Sequence, residues 1–273
     1  MDSIKAGIAA LGRANEPLSL RLTVAEVRPL SPGFTRVVLE GAALAQYRAP
    51  RPADAFKLEL SADDTGRPLL RAFTVRRFDA DTRRLTLDIA RHERGVAVNW
   101  LATVSAGDAV TLAGMRPEWV VAEGFRDHIL VGDDTAVPAI AAIVDSLGPE
   151  HRIRVYAALT DPADRALLPE HPNLELELLD SVTDLENHPP EALSEHRTQV
   201  WVAAEAAAVR RVRAHLLGSC GVARADLLAR AYWKRGKTNT DTDAASLLGY
   251  REAMRAGGDI HDPALAERID LGL

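Results

Sequence analysis

Residues 127–147 read DHILVGDDTAVPAIAAIVDSL. The run 127–133 is apolar and short, as a fully buried strand is. The run 135–147 carries an apolar face at helical spacing, and Pro138 falls early in it, where a helix tolerates proline. A strand that turns into a helix within a few residues is the first half of a βαβ unit. The pattern continues downstream. RIRVYAAL (152–159) is a strand, NLELELLD (173–180) alternates, TQVWVAAE (198–205) is a strand, and AAAVRRVRAHLLG (206–218) is a helix ending at Gly218. Strands alternating with helices predict a mostly parallel sheet.

Upstream the texture is different. LSLRLTVAEVRPL (18–30) alternates with period two. GFTRVVLEG (33–41), AFKLEL (55–60), RAFTVRRF (71–78), RLTLDIA (84–90) and DAVTLAGM (108–115) follow, separated by turn signals such as Ser31-Pro32-Gly33 and Ala106-Gly107-Asp108. Six short strands at this spacing predict a small antiparallel barrel, with one short helix in 95–104. The change of texture near Gly124 puts a boundary at 116–126. The expected organisation is a β-barrel domain over 1–122, an α/β parallel-sheet domain over 123–236 and a C-terminal helical extension over 237–273.

Composition narrows the function classes. The chain has 273 residues, a soft prior for two cores. A net charge of −6 argues against a general nucleic-acid binder. No apolar run approaches the roughly 20 residues that cross a bilayer, and the first 18 residues hold too short an apolar segment for a secretory signal. A cytoplasmic location is the expectation. One cysteine, Cys220, excludes an intrachain disulfide and a four-cysteine iron–sulfur cluster. No HExxH, CxxC or Ser-His-Asp order suggests a hydrolase or a metal site.

Four stretches hold the chemistry-bearing residues. In RAFTVRRFD (71–79), Arg71, Phe73 and Val75 share one expected strand face, and Ala72, Thr74 and Arg76 the other. An arginine beside an aromatic suits a ligand with a phosphate and a flat ring. A plain barrel strand with arginines reaching to water reads equally simply. In HERGVAVNW (92–100) a glycine opens a helix after a strand, where free N–H groups favour an anion. In LVGDDTAVPAI (130–140) the strand end lies where open α/β sheets bind nucleotides, without GxGxxG or a Walker loop. YWKRGK (232–237) sets aromatics beside Lys234, Arg235 and Lys237, which suits something flat and anionic or a plain surface charge run.

Together these stretches resemble the siderophore-interacting proteins, a branch of the ferredoxin-reductase-like flavoproteins. The pattern R-x-[YF]-T-x-R is met by Arg71, Phe73, Thr74 and Arg76. HGxGPASxWA is met in part by HERGVAVNWLA (92–102), GDETAxPAI by GDDTAVPAI (132–140), WVAGEAxxVRxxRxxL by WVAAEAAAVRRVRAHL (201–216), and YWRxG by YWKRG (232–236). The blocks come in family order. The resemblance implies FAD, with NADH, NADPH or a ferredoxin as donor and a ferric siderophore as substrate. It implies that Arg71 faces the flavin phosphates and that Phe73 and Thr74 lie at the isoalloxazine ring. His92, Gly95, Val96, Ala97 and Val98 would complete the FAD site. Asp134, Thr135 and Glu205 would line the nicotinamide side, and Tyr232 and Trp233 would approach the flavin or the nucleotide. Lys234, Arg235 and Lys237 would favour the anionic chelate. The chain departs from the pattern at Phe73, where tyrosine is usual, at Val96 and Val98 in place of proline and serine, and at Glu93 in place of glycine. A flavin oxidoreductase with another acceptor, and a non-enzymatic siderophore-binding protein, are the alternatives the residues leave open.

Overall fold

The computed structural model describes residues 2–92, 95–187, 197–236 and 239–273, apart from the side chains of 239–245. The barrel strands are β1 (Ser19–Ser31), β2 (Phe34–Glu40), β3 (Ala55–Ala62), β4 (Pro68–Thr74), β5 (Arg77–Asp79), β6 (Arg84–Ala90) and β7 (Ala109–Arg116). They pair antiparallel in the order β4-β3-β7-β1-β2-β6-β5. Period-two patterning sets the inner face: Leu20, Leu22 and Val24 of β1 are buried while Ser19, Arg21 and Thr23 are exposed. With Leu39, Phe56, Leu58, Leu85, Leu87 and Leu112 they fill the barrel.

The stretch expected as one strand over 71–78 is divided between β4 and β5, so the sheet has seven strands rather than six. The cause is a change of partner. β4 pairs with β3 as far as Ala55–Thr74, and β5 pairs with β6 from Arg77–Thr86. Between them the Val75 amide donates to the Asp54 carbonyl at 2.7 Å and the Arg76 amide to the Thr86 carbonyl at 2.9 Å. Two residues thus join the opposite edges of the sheet and curl it. The expected alternation fails at the same point: Val75 enters the barrel core, whereas Arg71 and Thr74 are both buried at its outer rim.

The second sheet is parallel, built from β8 (Asp127–Asp133), β9 (Arg152–Ala158), β10 (Leu174–Leu178), β11 (Thr198–Glu205) and β12 (Leu227–Trp233) in the order β10-β9-β8-β11-β12. Helix α1 is Ile4–Ala14 and the short α2 is Val96–Leu101; α3 (Val137–Ser146) follows β8 and α4 (Ala206–Gly218) follows β11. Strand order reverses at β8, so the gap between the carboxyl ends of β8 and β11 is the switch point of the sheet.

Residues 4–14, expected to belong with the barrel, form α1 and pack against β12 instead. Ile4 and Ile8 join Trp119, Ile140 and Trp201 in the core of the second sheet. The C-terminal extension forms α5 (Asn239–Arg255) and α6 (Pro263–Leu271). A buried carboxylate ties both chain ends together. Glu267 of α6 accepts from Lys5 Nζ at 2.8 Å, Arg213 Nε at 3.1 Å and the Ala229 amide of β12 at 3.2 Å.

Candidate functional site

The barrel rim and the carboxyl ends of the second sheet enclose a cavity of about 350 Å³. β4 contributes Arg71, Phe73 and Thr74. The segment after β6 contributes His92, α2 contributes Ala97, and the β8–α3 turn contributes Thr135 and Pro138. Tyr232, Trp233 and Lys234 border it from the end of β12, and Leu247 and Tyr250 from α5.

Asp133 organises the strand ends. One of its oxygens accepts from the Thr135 amide at 3.0 Å and from Thr135 Oγ1 at 2.5 Å. The other accepts from the Glu205 amide at 3.1 Å and from Trp233 Nε1 at 2.8 Å. The carboxylate therefore joins the ends of β8, β11 and β12. Burial pushes its pKa up, and the bonds from Thr135 and Trp233 oppose that without reversing it.

The neighbouring acids have other work. Asp134 accepts from the Thr160 amide at 3.1 Å and from Thr160 Oγ1 at 2.5 Å, fixing the loop after β9. Glu205 caps α4 through the Ala207 and Ala208 amides at 2.6 and 3.1 Å, and its other oxygen takes the Arg235 amide at 3.2 Å. Burial raises the Glu205 pKa, but these amides outweigh it and leave the pKa low. Neither Asp134 nor Glu205 borders the cavity. Arg76 stands outside it as well, with Nη1 at 2.6 Å from Asp145 of α3, a brace between barrel and second sheet.

Thr135, Tyr232, Trp233 and Lys234 do meet Arg71, Phe73, Thr74 and His92 around one space. The His92 and Trp233 rings lie 6.3 Å apart. Gly95 opens α2 at φ +134°, in open space and in a conformation that favours glycine. Val96, Ala97 and Val98 form the first turn after it, where N–H groups lack intrahelical acceptors. Arg235 is exposed beyond the rim. Glu93, Arg94 and Lys237 lie outside the described residues.

Two features were not read from the sequence. Glu118, fully buried, accepts from Arg116 Nε at 2.5 Å and from Arg230 Nε at 3.1 Å, so β7 and β12 are bound across the domain junction. Arg116 borders the cavity, as does Lys57 of β3. The RPEW segment (116–119) signals none of this, because Arg230 stands 112 residues away.

The lining fits a dinucleotide of the flavin kind. Cationic side chains from Arg71, Lys57 and Arg116 suit phosphates, and Phe73 and Trp233 suit a flat ring. The Tyr232 hydroxyl, on a residue that borders the cavity, is buried beside Thr74 without a well-formed hydrogen bond.

An antiparallel barrel followed by a parallel sheet of this order is the ferredoxin-reductase-like fold. Within that class, residues 59–119 match the siderophore-interacting FAD-binding domain and residues 125–236 match the siderophore-interacting protein model. The chain belongs to the siderophore-interacting protein family. It is 24% identical over 260 residues to the ferric acinetobactin reductase of Acinetobacter baumannii, covering 89% of this chain and 88% of that protein. The NADPH-dependent ferric-chelate reductase of Escherichia coli is 31% identical over 144 residues, 46% of this chain and 56% of that protein. The solved siderophore-interacting protein from A. baumannii superposes with a TM-score of 0.80 at 21% identity, covering 88% of this chain and all of that one. The protein is a siderophore-related, FAD-dependent reductase. Among the described residues no helix is long and apolar enough to cross a membrane.

Proposed function

We propose that the protein is a cytoplasmic, NAD(P)H-dependent ferric-siderophore reductase that converts chelated Fe³⁺ to Fe²⁺ and so releases the iron. The observation that carries this reading is the shared cavity. Arg71, Phe73 and Thr74 of the barrel face it together with Thr135, Tyr232 and Trp233 of the second sheet.

When bound, FAD accepts an electron pair from a hydride donor and passes electrons on singly, which a one-electron ferric acceptor needs. Arg71 would hold the diphosphate by charge-assisted hydrogen bonds, helped by the amides of Val96, Ala97 and Val98. Phe73 would pack on the ring system, and Thr74, with Tyr232 behind it, would meet its polar edge. Trp233, fixed by Asp133, would supply a second aromatic surface to it. Lys234 and Arg235 draw the anionic chelate toward the cavity mouth. The ferric centre, held by hard oxygen donors, loses charge density on reduction, and those ligands then hold it less tightly. No acid, base or nucleophile of the protein is required. The names of the two ferric reductases support the acceptor, and that of the E. coli relative supports NADPH as donor.

The test is flavin content and turnover. Purified protein shows flavin absorbance that bleaches with NADH or NADPH without oxygen and returns on addition of a ferric siderophore. Arg71→Ala loses a charge-assisted contact of roughly 1.5–3 kcal/mol, so it binds FAD at least about tenfold more weakly. Lys234→Ala keeps its FAD and raises KM for the chelate. Full FAD retention in Arg71→Ala overturns the assignment.

A further inference from the structure

The C-terminal extension has no part in the reading above, although it borders the same cavity. Ser246, Leu247 and Tyr250 of α5 line it together with Arg71 and Phe73 of β4, the strand α5 packs against. Leu247 is 50% exposed and Leu248, its neighbour, 60%, yet only Leu247 borders the cavity. With Leu70, Phe73, Ile89, Pro138 and Trp233 on the same lining, the exposed Leu247 adds to the apolar part of the wall, where the flat part of a ligand would pack.

The helix is anchored, not draped. α5 contacts both β4 and α6. At Gly249 the two helices approach so closely that a Cβ would lie 3.1 Å from Ile269 Cγ2. The Tyr250 hydroxyl donates to Asp270 Oδ2 at 3.3 Å. α6 is in turn fastened to β12 through Glu267 and the Ala229 amide, three residues before Tyr232. The chain that carries Tyr232 and Trp233 therefore also fixes the position of Leu247 and Tyr250.

We infer that α5 is a fixed wall of the FAD site, with Leu247 and Tyr250 in contact with the bound flavin nucleotide. The inference rests on the proposed FAD cavity and adds binding residues that the motif blocks ending at Gly236 do not contain. FAD affinity then depends on a segment outside both matched domains, and loss of the extension costs the cofactor rather than opening the site to larger substrates.

The test titrates FAD into full-length protein freed of flavin, following the quenching of flavin fluorescence, with a thermal melt of each variant as the check on folding. Leu247→Asp and Tyr250→Ala weaken binding about tenfold or more, as expected for a buried apolar contact. Leu248→Asp, the same change one residue along the same helix, stays within about twofold of the parent. Parent-like affinity in both cavity variants overturns the inference, and so does an equal loss in Leu248→Asp, which marks helix damage instead of contact. A parent protein that binds no FAD overturns the flavin reading itself, and this inference with it.

Discussion

Asp133 is the side chain on which the strand ends depend. Each of its oxygens accepts twice, from Thr135 on one side and from the Glu205 amide and Trp233 Nε1 on the other. Asp133→Asn replaces one acceptor by an NH₂ that faces donors. Two buried donors lose their partner, at roughly 1–3 kcal/mol each. The variant should melt several degrees lower and bind FAD more weakly, because Trp233 is no longer held. An unchanged melting temperature would show that Trp233 is positioned by packing alone. A second buried acid acts through pH. Asp54 is fully buried and accepts from Tyr47 at 2.5 Å. Burial raises its pKa to about 7, and its hydrogen bonds from Tyr47 and the Arg51 amide only partly oppose that. The unfolded carboxyl titrates near 3.9. Between about pH 4 and 7 the folded state therefore holds a proton that the unfolded state has released. Stability falls as pH rises through that window and levels off above it, by up to about 4 kcal/mol. Asp54→Asn should flatten this slope, as measured by denaturant unfolding at pH 5 and pH 8.

Among the elements, α6 closes the molecule. Glu267 is 2% exposed and serves Lys5 of α1, Arg213 of α4 and β12 at once. Burial lowers the Lys5 pKa, and Glu267 opposes that shift. Glu267→Gln leaves two buried cations without their counter-charge and should cost about 3–5 kcal/mol, read as a lower denaturant midpoint with unchanged slope. Adding Lys5→Met to Glu267→Gln removes one of the two stranded cations and should recover part of the loss. The elements also show what a sequence makes legible. Strands β1 and β8 and helix α3 announce themselves because period and burial are local: Leu20, Leu22 and Val24 alternate, and residues 137–144 are all buried. The split between β4 and β5 is not local. It arises where Val75 and Arg76 change partners, which only barrel closure decides. Helix α1 presents two buried isoleucines, and the elements it packs against, β12 and α6, lie more than 200 residues away. At the site, the motif pointed to Asp134 and Glu205, while the carboxylate that bonds Trp233 is Asp133. Its partners are 2, 72 and 100 residues distant, a pattern no spacing rule contains.

At the scale of the whole molecule, the two halves meet through ion pairs as well as through the cavity. Arg76–Asp145 braces the barrel to α3, and Glu118 joins Arg116 of β7 to Arg230 of β12. The Arg230–Glu118 pair is buried and resists salt, whereas Asp145 is about half exposed and its pair is screened. A ligand held by residues of both halves couples them further. FAD at a hundred times its dissociation constant stabilises the folded state by about 2.7 kcal/mol if only that state binds it. For a chain of this length that raises the melting temperature by roughly 5–10 °C. Because Arg71 and Trp233 belong to different halves, the whole transition should move as one. Calorimetry with and without FAD checks this. A single transition displaced upward fits a cofactor seated across the junction. Two transitions, of which FAD moves only the barrel's, would place the nucleotide on Arg71 and Phe73 alone and leave the strand ends of the second sheet free of it.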